Sequence, residues 1–441
     1  MQNVRKNIFN LLLSQIEKRE RFFKETVETL RKRKRFLIYD FGLCTEVAER
    51  IARDGHEVYY FVPWQDAFPE MRKAVIGEGL VKRIKYFWDY VDKVDYICFF
   101  DTHTHDIAEY LRKKGYKVFA PFKAELLELD RIKGREVQKI VGLPTQKTQV
   151  IKGLDALKKY LQKVSDKWIK LNTFRGTIET WHHRNFDVSE AQFLEKLGYD
   201  LGPKRNDVEF LIEDSIEGVE PGFDGMVVDG NYLSSCMYGY EAKGAGYIGR
   251  IVPYKKLPQP LKEVNDKLSI AFQKTKARTF FSTEVRITKE GKGYLIDPTI
   301  RLPMPVPGAI ELEIYENIVN AIINACEGKI TNLRPLARYG AGVALESEWA
   351  ENNWLNVDFP PKLRRWIKFR MACQLNGKYY AVPGFSSVCS VIAIGNSIEE
   401  VVRLVKERVK MVSGRELDTD AGGLDLVIEE IKKGKKYGIN F

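Results

Sequence analysis

Glu284 and Asp297 are the pair in this sequence whose spacing most directly suggests chemistry. They lie in FFSTEVRITKEGKGYLIDPTIRLPMP, where two strand-like runs flank Glu290-Gly291 between Lys289 and Lys292. A two-residue turn at that point predicts a hairpin whose opposed residues keep a constant index sum, so Ile287 meets Tyr294 and Glu284 meets Asp297. Opposed residues share a face with their Cβ atoms about 5 Å apart, and two carboxylates that close repel unless a cation sits between them. The period of two adds Thr299 and Arg301 to the same face. A carboxylate pair, a hydroxyl oxygen and a guanidinium in one patch suit Mg²⁺, with Mn²⁺ as an alternative, bridging phosphate oxygens while the arginine clamps an anion. The plain alternative is an exposed hairpin carrying a surface Glu, Asp and Arg.

Other polar clusters divide the same way. Asp101-Thr-His103-Thr-His105 stands where a strand ends and a helix begins, a usual place for ligand contacts. The two histidines could hold a metal or a substrate, but Thr104 or Asp106 capping the helix explains the polarity equally well. His182-His183 could meet substrate or stand in an exposed loop. The run from Arg31 to Arg35 reads as a nucleic-acid arm or, more simply, as the solvated flank of the strand Phe36–Tyr39. Cysteines 44, 98, 236, 326, 373 and 389 show no paired spacing, which predicts reduced, buried thiols rather than disulfides or zinc ligands.

The elements that must position these residues follow from periodicity. Residues 1–33 read as an amphipathic helix with Ile8, Leu11, Leu12, Ile16, Phe22, Phe23 and Val27 along one side, expected to pack on the body or on a second copy as a homodimer. FLIYDFG, CTEVAERIARDG and HEVYYFVP form a strand-helix-strand unit, and YICFF, DIAEYLRKKG and YKVFAP repeat it. Residues 36–122 therefore read as one open, mostly parallel α/β unit. ELLELDRIKGREVQKIVG and GLDALKKYLQKV read as helices and KWIKLN as a strand. A β-rich stretch runs from Val208 to Val252, and the helix LKEVNDKLSIAFQKT follows. After the hairpin, spanning 281–299, comes an apolar helix at roughly 309–326, and the last hundred or so residues alternate as a closing α+β unit.

With 441 residues the chain has room for two to four packed units, and a net charge of +11 suits anionic ligands such as nucleotides. The same excess of positive charge leaves nucleic acid open as a partner. No run of about 18 apolar residues occurs, which argues against a membrane span. Ile8–Leu13 is followed by charges rather than a small-residue cleavage site, so a cytoplasmic protein is expected. Neither GxGxxG after the first strand nor GxxxxGK[ST] is present, which argues against a dinucleotide fingerprint and a P-loop NTPase.

Taken together, the segments resemble the ATP-grasp superfamily, and within it phosphoribosylamine–glycine ligase most. The metal signature reads Glu284 and then Asp297-Pro-Thr299-Ile-Arg301, with Thr in place of the usual Asn. LIEDSIEGVEPGFDG is similar to the family's adenine hinge and ribose contact, in which two glutamates lie seven apart, here Glu213 and Glu220. KWIKLN and the stretch before Leu143-Pro144-Thr145 match the positions of two phosphate-holding bases, Lys170 and Arg131.

The resemblance implies ATP and Mg²⁺ as cofactors and the following roles. Glu213, Asp214, Ser215 and Ile216 would face adenine and Glu220 the ribose, while Lys170 and Arg131 would hold phosphates. Glu284, Asp297 and Thr299 would bind metal, and Arg301, Lys170 and Arg175 would act in catalysis. His103, His105 and Lys243 are further candidates for substrate contact. It implies an N-terminal extension over 1–35, an open parallel α/β domain over 36–125 and an ATP-grasp domain over 126–335, made of two α+β subdomains clasping ATP with the mobile one at about 145–212. A small α+β domain would span 336–441. The implied activity is ADP-forming ligation of a small-molecule carboxylate and an amine through an acyl phosphate. Two departures stand out: the phosphate-covering loop LNTFRGTIETWHHRNF holds one glycine, Gly176, and the glycine-rich turn after the first strand is reduced to Gly42. The atypical loop, Thr299 and the basic balance leave open a nucleotide-binding module without ligase activity, and a ligase acting on a peptide or a modified nucleic acid is a further alternative.

Overall fold

The computed structural model describes residues 33–63, 75–173 and 180–441. The expected N-terminal amphipathic helix and Arg175 lie outside the described residues.

The first unit is a parallel sheet of β1 (Arg35–Tyr39), β2 (Glu57–Phe61), β3 (Tyr96–Phe99) and β4 (Val118–Phe119), in the order β2-β1-β3-β4. Helices α1 (Thr45–Arg53) and α2 (His105–Lys113) connect them. Phe36, Leu37 and Ile38 are all fully buried, as a strand covered on both faces requires. The strand order reverses between β1 and β3, so Asp40 and Asp101 lie just past the strand ends where such sheets usually receive ligands. The start of α2 is capped neither by Thr104 nor by Asp106. The Glu125 carboxylate accepts the backbone amides of Thr104 at 3.2 Å and His105 at 3.4 Å.

The helix expected to run without interruption through 125–142 breaks at Asp130. That residue takes an extended backbone and accepts the Lys133 amide at 3.1 Å, capping α3 (Arg131–Ile140). A second, antiparallel sheet follows, ordered β5-β8-β6-β7, from β5 (Thr148–Lys152), β6 (Lys167–Leu171), β7 (Thr180–His183) and β8 (Glu209–Asp214). Its core of Ile169, Phe210 and Ile212 packs with Leu154, Leu157 and Leu161 of α4 (Leu154–Leu161) and Leu197 of α5 (Glu195–Leu201).

The third unit is a nine-stranded antiparallel sheet. Its main strands are β9 (Pro221–Val228), β10 (Ser235–Ala242), β11 (Gly246–Pro253), β12 (Arg278–Ile287), β13 (Gly293–Thr299) and β14 (Tyr339–Glu346). β15 (Ile367–Phe369) and β16 (Ser387–Gly395) complete the path β13-β12-β9-β10-β11-β14-β16-β15, with the short strand Asn231–Tyr232 beside β9. The helix α6 (Gln259–Thr275) packs against it through Leu261, Val264, Leu268 and Phe272. The single apolar helix expected at 309–326 is two, α7 (Pro307–Ile314) and α8 (Ile318–Cys326), because Tyr315 leaves helical geometry to pair with Pro335. Ile398–Val409 and Gly423–Lys435 form α9 and α10. All six cysteines are free and buried, as their spacing predicts. No helix among the described residues is long and apolar enough to cross a membrane.

Buried charge joins the parallel sheet to the large one. Lys368 Nζ lies 2.7 Å from Glu313 Oε1 on α7 and 3.4 Å from Glu46 Oε2 on α1, and the side chains of all three are at most 2 % exposed. Arg53 and Arg365 also reach Glu313, and Arg364 reaches Glu46. Burial alone would raise the Glu313 carboxyl, but Lys368 and Arg53 outweigh it and hold it down at about 2. A carboxyl lowered on folding adds stability above its ordinary value and loses it as the pH falls toward the folded one. Glu313 should therefore stabilise the fold fully near neutrality and progressively less between about pH 4 and 2. Lys368→Met should cost about 3–5 kcal/mol in urea unfolding at pH 7, since it strips a partner from two buried carboxylates, and that loss should shrink in acid.

Candidate active site

The hairpin of β12 and β13 places Glu284 opposite Asp297 by a different route from the one its sequence suggests. Thr288 N donates to Lys292 O at 3.1 Å and Gly291 N to Thr288 O at 3.0 Å, so the turn is centred on Lys289-Glu290 and Gly291 takes the left-handed position with φ 75°. Ile287 consequently faces Gly293 rather than Tyr294. A bulge then restores the expected register: Val285 faces Leu295 but Glu284 faces Asp297, leaving Ile296 as the extra residue. The Ile296 carbonyl accepts Lys170 Nζ at 3.3 Å and Arg135 Nη2 at 2.9 Å.

Around this bulge stands a compact cluster of charge. Lys170 Nζ on β6 lies 2.9 and 3.1 Å from the two Asp297 oxygens and 3.6 Å from Glu213 Oε2 on β8. Arg135 on α3 grips Glu213 with Nε at 2.6 Å and Nη2 at 3.0 Å. Glu213 is 1 % and Lys170 3 % exposed, so each depends on the others for compensation. Arg131, one helical turn before Arg135, brings Nε to 3.9 Å from Asp297. Burial would raise the Asp297 carboxyl, but Lys170, Arg131 and Arg135 outweigh it and hold it at about 2. Glu284 is the converse case. Burial, with the neighbouring carboxylates of Glu220 and Asp297, lifts it to about 7 against the pull of Lys243. Lys243 Nζ lies 3.0 Å from Glu284 and 3.9 Å from Glu220.

Three cavities that share lining residues flank the Glu284–Asp297 end of the hairpin. The first, about 360 Å³, is lined by Arg131, Arg135, Lys243, Glu284, Asp297 and Arg301, with Thr299 beside them. The second, about 440 Å³, has Trp168, Ile216, Tyr240, Glu220, Arg286 and Lys170 in its wall. The third, about 270 Å³, shares Glu284, Thr299 and Arg301 with the first and is lined also by Glu241, Glu346, Arg370 and Ser387. Arg301 is held by Glu128 at 3.1 Å and Asp101 at 3.5 Å.

Most of the residues singled out by sequence thus converge. Lys170, Arg131, Glu220, Glu284, Asp297, Thr299, Arg301, Lys243 and Ile216 line these spaces. Glu213 also reaches the second cavity, but its carboxylate is engaged by Arg135 and Lys170. Asp214 accepts Lys167 Nζ at 2.6 Å and Ser215 Oγ donates to Asp166 at 2.9 Å, and both residues line a further cavity of about 410 Å³ that shares Gln146 and Ile216 with the second. His103 and His105 are not brought to these cavities; the His105 ring is 2.5 Å from Glu125. His182 and His183 belong to strand β7 rather than to a loop. His182 stacks on Trp168, and fully buried His183 bonds Ser189 and the Val164 carbonyl. Sequence reasoning missed Arg135, Trp168 and Arg286, each of which had a periodic signal. Arg135 follows Arg131 by four on a helix, Trp168 precedes Lys170 by two on a strand, and Arg286 follows Glu284 by two on a strand.

Gly42, in the turn after β1, has φ 102°, and a Cβ there would come within 2.7 Å of Ile76. That turn is packed against Ile76 and Met371 rather than open. No group of three or more His, Cys, Asp or Glu among the described residues could hold a metal ion unaided. Glu284 and Asp297 nevertheless fit a hard cation, since both are oxygen donors on one face and each already has a lysine ammonium at hydrogen-bond distance.

No family model matches the chain. Among solved structures it is similar to phosphoribosylamine–glycine ligase from Thermotoga maritima, with a TM-score of 0.66 and 18% identity over 87% of this chain and 98% of that one. It is also similar to the biotin carboxylase domain of 2-oxoglutarate carboxylase from Hydrogenobacter thermophilus, solved with MgADP and bicarbonate, with a TM-score of 0.63 and 14% identity over 92% of this chain and 99% of that one. L-amino acid ligase from Bacillus licheniformis gives a TM-score of 0.58 and 17% identity over 87% of this chain and 98% of that one. The chain has the ATP-grasp fold. That fold is shared by ligases and carboxylases, and its parts correspond to the parallel sheet, the smaller antiparallel sheet and the large antiparallel sheet described above.

The charge cluster generates a stability prediction independent of catalysis. Arg135→Met should destabilise the ATP-grasp core by about 3–5 kcal/mol in urea unfolding because Glu213 is left buried and short of a partner. Adding Glu213→Gln should recover part of that loss, and an additive double variant would mean that the pair is not coupled.

Proposed function

We propose that the chain is an ATP-dependent, ADP-forming carboxylate–amine ligase that works through an acyl phosphate. The observation that carries this reading is the convergence of Lys170, Arg131, Glu284, Asp297 and Arg301 on two adjoining cavities, one of which also has Trp168, Ile216 and Tyr240 in its wall. Trp168, Ile216 and Tyr240 offer flat and apolar surface to a nucleobase, and ribose hydroxyls would replace Arg286 as the partner of Glu220.

Glu284 and Asp297, with the Thr299 hydroxyl, would hold Mg²⁺, which neutralises charge on the β- and γ-phosphates when bound. Lys170 and Arg131 stand where the γ-phosphoryl group would lie and stabilise the charge that spreads over its oxygens. A substrate carboxylate oriented by Arg301 attacks the γ-phosphorus. Its oxygen forms the new P–O bond while ADP leaves with the electron pair of the broken one. The amine nitrogen then attacks the acyl carbon, phosphate departs with the C–O electron pair, and the amine gives up a proton. The chain supplies no covalent nucleophile in this scheme, so rate enhancement comes from positioning and fixed charge.

The decisive test is Mg²⁺-dependent ADP release against pooled carboxylates and amines. Release should require both pools and fall at least about 100-fold in Glu284→Gln and Asp297→Asn. Tight ATP binding without turnover in any pool would instead favour a binding module.

Lys243 generates a second expectation, because its ammonium lies where a cation would compete for Glu284. Lys243→Met should tighten Mn²⁺ binding to the nucleotide-free protein by about tenfold, read by electron paramagnetic resonance. Unchanged Mn²⁺ affinity would remove Lys243 as a competitor for that carboxylate.

A further inference from the structure

One face of the parallel sheet takes no part in the chemistry above. The 3₁₀ turn Trp88–Lys93 and helix α2 pack on that face, where Phe87, Val91, Ala108 and Leu111 join Leu37, Ile97 and Phe99 in one core. With their apolar sides turned to the sheet, both elements would be expected to show polar side chains to solvent. They show aromatic ones as well. Tyr86, Trp88 and Tyr110 are 59 %, 57 % and 52 % exposed. The Trp88 and Tyr110 rings meet edge to face at 6.2 Å, while Tyr90, two residues on, lies 4.6 Å from Tyr59 of β2. The rings therefore form a band that runs from β2 across the turn to α2.

Basic side chains are interleaved with the rings. Lys82 Nζ lies 4.2 Å from the centre of the Tyr59 ring, Lys93 5.1 Å from Tyr90, Lys85 5.5 Å from Tyr86 and Lys114 5.6 Å from Tyr110. Lys113, also exposed, follows Tyr110 by three on the same side of α2. Lys85, Lys93, Lys113 and Lys114 make no ion pair among the described residues. The acids beside them are mostly engaged. Glu57 accepts Tyr59 and Lys82, Asp92 accepts Tyr116, and Asp89 of the turn has no partner among the described residues. The basic run that ends at Arg35 borders the same band, since Glu57 also lies 3.7 Å from Arg33. Lys93 and Lys114 precede β3 and β4, which puts this charge at the opposite edge of the sheet from Asp40 and Asp101.

We propose that this band binds single-stranded nucleic acid, with bases stacked on Tyr86, Trp88 and Tyr110 and phosphates met by the unpaired lysines. A single strand offers flat base faces and negative charge in alternation, the two things for which rings and lysines alternate here. A duplex keeps its bases stacked on one another and would leave the rings uncovered. Carboxylates of an acidic peptide would answer the lysines and likewise leave the rings bare. A second copy docked through the same face would set lysine against lysine, because a two-fold contact joins a patch to itself. The inference stands apart from the ligase reading, since no residue of the band lines the cavities at the hairpin.

The test is fluorescence anisotropy on the full chain with labelled oligo-dT and oligo-U of about 12 nucleotides, beside a duplex of the same length and a poly-glutamate peptide. The single strands should bind most tightly. Their affinity should fall with salt at a logarithmic slope of about 0.7 for each phosphate contacted. Trp88→Ala should weaken binding about tenfold through lost stacking. Lys85→Gln together with Lys93→Gln should weaken it too and lower the salt slope by about 1.4. All three side chains are exposed, so the urea midpoint should not move in either variant. Absence of binding at low salt, undiminished binding by Trp88→Ala, or a duplex or peptide bound as tightly as the single strands would overturn the proposal. Dimers in sedimentation that Trp88→Ala disperses would also overturn it and assign the band to a second copy.

Discussion

Charge that cannot be left alone in the interior is the constraint on which this structure turns. Lys170 and Glu213 are almost wholly excluded from water, and neither would be tolerated there unpaired. Their compensation comes from three directions. Asp297 arrives from the hairpin, Arg135 from the helix that follows the parallel sheet, and Lys170 and Glu213 from neighbouring strands of the smaller antiparallel sheet. Satisfying the charges therefore fixes how the smaller sheet meets the larger one. The same groups that would face phosphate also hold together the two halves that would clasp it.

The bulge at Ile296 is the local device that makes this possible. A regular hairpin would spend the Ile296 carbonyl in the ladder, whereas the extra residue releases it to accept Lys170 and Arg135. It also cancels the one-residue offset introduced at the turn, so that two carboxylates end up opposed. Two irregularities thus produce the pairing that a regular hairpin would have made by itself, with a backbone acceptor added. Farther away, Glu46, Glu313 and Lys368 repeat the principle between α1, α7 and β15 and set the parallel sheet against the large one. This second network lines none of the three cavities, and it fixes the wall from which Asp101 reaches Arg301.

The surroundings of the cleft separate a general machine from a particular substrate. Similarity to ligases and to a carboxylase domain extends over nearly the whole of each of those chains, yet identity is low throughout. The cleft around the hairpin gathers the fixed charge on which the proposed reaction rests. The turn at Gly42 is closed by Ile76 and Met371, and Pro303, Pro305 and Pro307 line a cavity that also touches Arg301.

The sequence by itself determined the elements and the chemistry-bearing pairs that depend on local periodicity. The buried run Phe36–Ile38, the alternation of strands and helices that makes the first sheet parallel, and the opposition of Glu284 to Asp297 were legible because hydrophobic period and hairpin register are local properties. The resemblance to ATP-grasp proteins added Lys170, Arg131 and Glu220, which the fold does bring to one cleft. Only the tertiary structure decided the rest. The turn type and its compensating bulge were hidden because a Glu-Gly pair fits more than one hairpin geometry, and the final choice rests on which carbonyl the distant Lys170 and Arg135 need. The break at Asp130, the strand carrying His182 and His183, and the capture of Glu213 by Arg135 likewise depend on partners tens of residues away. Glu346 and Ser387 are opposed because β14 and β16 pair with a slip between Leu345 and Glu346, and long-range strand pairing is a property of the whole packed core rather than of any window of sequence.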